Sequence, residues 1–117
     1  MTTGEAGPVR LLIESEWGCY PYFIDGGDGI FRHIDPEFVQ AMFEVPQDVM
    51  DRIECWDELF DSVLDWDDPG GWDWPSTGQR DAYVQRGREV MRLLRAHIPA
   101  DVTIEYRADG SLAPEFY

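Results

Sequence analysis

The sequence predicts an α+β fold: a small, mostly antiparallel sheet of three to four strands with two long helices packed on one face. Short alternating apolar segments lie towards both ends, two stretches of helical periodicity lie between them, and Gly/Pro/Asp clusters separate the pieces. The element order is β-β-(β)-α-α-β.

The first element runs from Val9 to Ser15, where Val9, Leu11 and Ile13 fall on one face of a strand expected at the centre of the sheet. Cys19 to Ile24 reads as a second extended segment. Pro21 cannot donate to a ladder, so this segment is expected at an edge or with a bulge. Asp25 to Gly29 is a turn cluster, which sets Ile24 opposite Ile30 and Phe31 in a hairpin. Asp35-Pro36-Glu37 then carries a helix start, with Asp as N-cap and Pro at the first helical position. A short helical turn through Ala41 follows.

From Val45 to Asp65 the residues Val49, Ile53, Trp56, Phe60, Val63 and Leu64 step by three and four, as the buried face of a helix requires. Pro75-Ser76-Thr77 opens a second long helix whose buried stripe is Tyr83, Val84, Gly87, Val90, Met91, Leu94 and Ile98, with Pro99 ending it. Its outer face carries Arg80, Arg86, Arg88, Arg92 and Arg95. Asp101 to Arg107 alternates with Val102, Ile104 and Tyr106 inward, and Asp109-Gly110 turns the chain into an aromatic tail. No repeat or linker divides the chain. Residues 1–8 are expected as a flexible N-terminal segment and 9–117 as a single α+β domain.

Twenty-four acidic residues face nine basic ones, a formal charge of −15. That field repels nucleic-acid phosphate and anionic lipid and favours encounter with a basic protein partner. It also keeps a small protein a monomer or weak dimer. No apolar run approaches the ~20 residues of a membrane helix, and the start of the chain lacks a signal-peptide pattern. Cys19 and Cys55 lie in apolar surroundings and are expected as buried free thiols, which with the preceding points predicts a cytoplasmic protein. Every basic residue is Arg, a codon-bias signature of a GC-rich, actinobacterial type of genome.

Between residues 48 and 68 nine acids face Arg52 alone, a net of −8. Like charges at three and four spacing cost a helix a few tenths of a kcal/mol per pair, so the ridge is either a solubilising face or a surface awaiting cations. The connection that follows holds Trp66, Trp72 and Trp74 among Asp67, Asp68 and Asp73. Those rings either cap the core or anchor a partner. The candidate partner-binding surface is therefore Asp51, Glu54, Glu58, Asp61, Asp65, Trp66, Asp67, Asp68, Trp72 and Trp74.

No catalytic residue, metal site or cofactor is predicted. A calcium loop starting at Asp65 would need an oxygen ligand where Pro69 stands and a Glu where Ser76 stands. His33 and His97 are isolated from any zinc-ligand spacing, His97 being read as a complement to the helix dipole. Gly26 to Gly29 lacks the end of a phosphate loop, and no nucleophile motif occurs.

Glu16-Trp17-Gly18-Cys19-Tyr20-Pro21, Asp65-Trp66-Asp67-Asp68-Pro69 and the stretches around Arg86-Gly87-Arg88 and Val102 to Tyr106 resemble small acidic actinobacterial proteins of unknown function. That resemblance implies a bacterial cytosolic source and transfers no catalytic residue. The residues themselves point to an acidic protein-binding module. An inhibitor or immunity-type protein that blocks a basic partner such as a toxin nuclease, or a DNA mimic, fits them first. The alternative is a small metal-dependent enzyme, or an accessory subunit, using the Asp/Trp-rich loop 65–75; an accessory role could also use the Phe116-Tyr117 tail for docking.

Overall fold

The computed structural model describes residues 9–15, 19–62, 74, 76–108 and 112–117. A five-stranded sheet carries three helices, in the order β1 (Arg10–Ile13), β2 (Tyr22–Asp25), β3 (Arg32–His33), α1 (Pro36–Phe43), α2 (Gln47–Asp61), α3 (Thr77–Arg95), β4 (Thr103–Tyr106) and β5 (Glu115–Phe116). Across the sheet the strands run β3-β2-β1-β4-β5. Three of the four pairings are antiparallel, and β1 with β4 is parallel. Strands β1 and β4 thus meet inside the sheet, joined through the helical layer as a parallel pair requires.

Strand β1 is central, as its aliphatic run predicts. Strand β2 is internal rather than at an edge, because Pro21 stands one residue before the strand and removes no ladder donor. The hairpin register also differs from expectation: Phe23 pairs with His33 and Ile24 with Arg32. The longer turn arises because the Asp25 carboxylate gathers the Gly27 and Gly29 amides at 2.8 and 3.0 Å. Gly27 and Gly29 have φ of 121° and 82°, a region costly for residues with a Cβ. The aromatic tail is a strand as well, with Glu105 opposite Phe116 and Tyr106 opposite Glu115.

Helix α1 extends two residues beyond Ala41, and its Asp35 caps through backbone geometry without a side-chain bond. Helix α3 begins as its Ser76 signal predicts, with Ser76 Oγ accepting from the Gln79 amide at 3.1 Å. Arg92 and Arg95 sit in the last turn of α3, where they complement its dipole. His97 lies just past the helix end.

The core lies between the helices and one sheet face. Leu11, Ile13, Tyr22, Ile104 and Tyr106 pack there with Val39, Ile53, Trp56, Tyr83, Met91 and Leu94. Trp56 stacks on Tyr83 with ring centroids 5.2 Å apart and meets Tyr106 edge-on at 5.7 Å. Its Nε1 donates to the Tyr83 carbonyl at 3.2 Å, while the Tyr106 hydroxyl donates to the Val84 carbonyl at 3.1 Å. Both bonds cross the surface of α3 at Gly87, where a Cβ would run into Tyr106 and Trp56.

Leu12, Asp25 and Glu105 are buried towards the opposite sheet face. Arg10 donates to Asp25 Oδ2 through Nε and Nη2, Arg107 pairs with Glu105, and both guanidinium groups lie over the Phe31 ring. Buried acids there are thus matched by cations and bonded, which removes most of the penalty of burying charge. The Gly27 amide and the Arg10 guanidinium hold the Asp25 carboxyl at about 2. A depressed carboxyl stabilises the fold above its unfolded value and loses that contribution as pH falls through the folded one. Asp25→Asn is therefore expected to melt several degrees below the parent at pH 7, with the gap closing at pH 2, as thermal melts at both values would read.

One expectation fails on exposure. Cys19 and Cys55 are both exposed, since Cys55 falls on the outer flank of α2 and Cys19 stands outside the strands. Two of the Arg residues on the outer face of α3 are engaged within the fold. Arg88 is clamped to Glu115 at 2.7 Å, and Arg95 donates to the carbonyls of Ile98, Pro99, Val102 and Tyr117. Those bonds fasten β4 and β5 to the helix end.

Candidate functional site

Helix α2 buries Val49, Met50, Ile53, Trp56 and Phe60 and turns most of its acids outward. Steps of three and four place Glu54, Asp57, Glu58 and Asp61 along one edge of the helix. There they face the end of the sheet carrying β2, β3 and α1. The result is a cleft of about 520 Å³ lined by Cys19, Tyr20, His33, Asp35, Glu54, Asp57, Glu58 and Asp61. A second cleft of about 270 Å³ adjoins it, sharing Tyr20, Glu54 and Asp57 and adding Tyr22, Glu37, Gln40 and Gln47 among others.

Among the described residues, six carboxylates line the combined groove and no Arg does. None of the acids of α2 forms an ion pair among the described residues, whose ion pairs are Arg10–Asp25, Arg32–Asp28, Arg88–Glu115 and Arg107–Glu105. The other side of α2 contrasts with this. A groove between α2 and α3 sets Asp51 and Glu89 among Arg52, Arg86 and Arg92, so its charges offset one another. A concave, low-dielectric wall of one sign focuses field, whereas a mixed wall does not.

Burial in the groove is felt by its titrating groups. Asp57 is half-buried, and desolvation followed by the charges of Asp61, Glu54 and Glu58 raises its carboxyl to about 6, against a Ser15 hydrogen bond that lowers it. Its Oδ1 has no hydrogen-bond partner among the described residues. Asp61 is raised too, by desolvation and then Glu58. Burial, then Asp57 and Glu54, pushes the Tyr22 hydroxyl well above the ordinary tyrosine range. Tyr20 is exposed and stacks beside His33, whose Nε2 donates to the Tyr20 carbonyl at 2.7 Å.

Of the candidate residues, the fold brings Glu54, Glu58 and Asp61 together in this groove. Asp51 lines the mixed groove instead and accepts from the Gln47 amide at 2.9 Å. Trp74 is half-buried with its ring 4.9 Å from Tyr83, so this ring closes the core end beside α3. Asp65, Trp66, Asp67, Asp68 and Trp72 lie outside the described residues, as does most of loop 65–75 on which the metal reading rested. Among the described residues no group of three His, Cys, Asp or Glu is placed to hold a metal ion. Asp57 is the α2 acid of the groove that the candidate set lacks, as it lacks Asp35 and Glu37. Its signal was its place beside Ile53, Trp56 and Phe60 on the helical wheel, a carboxylate at the margin of the buried stripe.

An acidic concave wall without internal counter-charges suits a protein that receives cations from another. Residues 9–109 match the family model described as Serratia CdiI immunity protein-like. The chain belongs to this family. Among curated proteins none matches it. As a Serratia CdiI immunity protein-like chain it carries a functional class that the likeness to acidic actinobacterial proteins did not supply. The family match includes β1 to β4 and every groove residue, and it stops short of β5. Within the described residues of this immunity protein-like chain no helix is long and apolar enough to cross a membrane.

Proposed function

We propose that the chain is an immunity protein that binds a toxin with a basic surface, such as a nuclease, and blocks it through the α2 groove. The observation that carries this is the groove itself: Asp35, Glu37, Glu54, Asp57, Glu58 and Asp61 share one concavity without an Arg. Family membership supports the immunity role, and the charge of −15 supports a cationic partner. Steering by such a field raises association rates most at low salt. Exposed Tyr20 at the rim supplies an aromatic surface of the kind enriched at interfaces.

The protein acts by binding rather than catalysis, as a single-domain monomer or weak dimer in the cytoplasm of a bacterium with a GC-rich, actinobacterial type of genome. The proposed binding set also takes in Asp65, Trp66, Asp67, Asp68 and Trp72, which follow α2 in the sequence. Capture of partners from a lysate of the source bacterium on the tagged chain tests the reading. A basic toxin domain released by moderate salt is expected, and its activity should fall on adding the chain back. A captured toxin whose activity is untouched by the chain would contradict it.

A further inference from the structure

Asp57 stands where the two clefts of the groove meet, the only α2 acid besides Glu54 that lines both. It is also the acid of the groove whose packing is incomplete. Oδ1 is sealed from solvent with no hydrogen-bond donor among the described residues. Behind it lies Ser15, which acts to lower the Asp57 carboxyl and whose Oγ accepts from the Tyr83 hydroxyl at 2.6 Å. That arrangement joins the groove to the Trp56–Tyr83 stack of the core. A sealed, donor-poor oxygen favours a proton, and a cation brought into the groove favours its loss.

We propose that Asp57 is the proton-exchanging carboxylate of the groove: it holds a proton in the free protein at mildly acidic pH and releases it to solvent when a cationic side chain enters. This rests on the groove being the toxin-binding surface. The groups around Asp57 favour such an exchange. Glu54, Glu58 and Asp61 on α2 and Tyr22 on β2 face it with negative charge or a buried hydroxyl, and Asp35 and His33 share the larger cleft. Glu14 and Ser15 close the end of β1, and Tyr83 backs them from α3. Its raised value in the free protein agrees with this geometry. An acid raised above its unfolded value destabilises the fold when ionised, so the cost is largest above pH 6 and disappears below the unfolded value. Groups that weaken the free fold yet persist in a cleft are a signature of functional sites.

The experiment is carboxyl-carbon NMR titration of the full chain, alone and with saturating hexa-arginine peptide at low salt, beside thermal melts of Asp57→Asn. Asp57 is expected to titrate near 6 alone and at least tenfold more acidic in proton affinity with peptide. Asp57→Asn should melt several degrees above the parent at pH 7.5 and lose that advantage by pH 4. A free midpoint near 4, or a midpoint unmoved by bound peptide, overturns the exchange while leaving the groove as a surface. Failure of the peptide to perturb Glu54 and Glu58 at all overturns the groove and the exchange together.

Discussion

Glu54→Lys with Glu58→Lys is expected to slow association with the captured toxin roughly 10–100-fold at low salt, the range that electrostatic steering spans. Each replacement exchanges a negative for a positive charge in a wall that has no Arg to share it. Both positions are exposed on the solvent side of α2, and neither side chain enters the core, so the variant should fold. The slowing should shrink as salt rises, because the Debye length falls to about 10 Å at 0.1 M and 3 Å at 1 M. Asp81→Lys with Asp101→Lys makes the same change in net charge away from the groove. Both are exposed acids, at α3 and before β4. If that pair slows association equally, total charge and not the groove governs recognition. Stopped-flow association at several ionic strengths reads both variants.

Gly87→Ala is expected to have the largest effect on stability. In an ordinary exposed helix the change would help by nearly 1 kcal/mol. At this position the added Cβ runs into the buried Tyr106 ring and Trp56. Overpacking costs about 1–3 kcal/mol, and losing the Trp56–Tyr83 and Tyr106–Val84 bonds adds about 1 kcal/mol each. The net loss should be about 2–4 kcal/mol, a fall in Tm of roughly 10 °C or more for a chain of this size. Gly78→Ala provides the comparison, since its Cβ would meet only Ser76 Oγ at 3.8 Å. That variant should equal or exceed the parent. A Gly87→Ala protein melting with the parent would mean that the Trp56–Gly87–Tyr106 packing does not govern the fold.

The long helices were legible because burial of one stripe imposes spacing by three and four over many residues. Ile53, Trp56, Phe60, Tyr83, Met91 and Leu94 all fall where that spacing puts them. Ser76 marked the start of α3 because a hydroxyl N-cap satisfies an orphan amide locally. Strand β5 carried no such signal, since two residues cannot show alternation. The parallel β1–β4 pairing was equally hidden, because it joins segments some ninety residues apart. In the groove, Glu54, Glu58 and Asp61 were legible as one helix edge. Asp51 looked equivalent in sequence, yet a step of three turns it towards α3 and its Arg residues. Asp57 was obscured by the buried stripe beside it. His33, Asp35 and Tyr20 reach the groove only through the packing of β2, β3 and α1 against α2, which no local pattern encodes.

The groove as the toxin-binding surface is tested most directly by hydrogen–deuterium exchange on the chain alone and in complex with the captured toxin. Protection is expected on the Glu54–Asp61 stretch of α2 and across residues 19–37, with little change on the solvent side of α3 and on β5. Protection centred on α3 and β5, with the groove exchanging as in the free protein, would contradict the account.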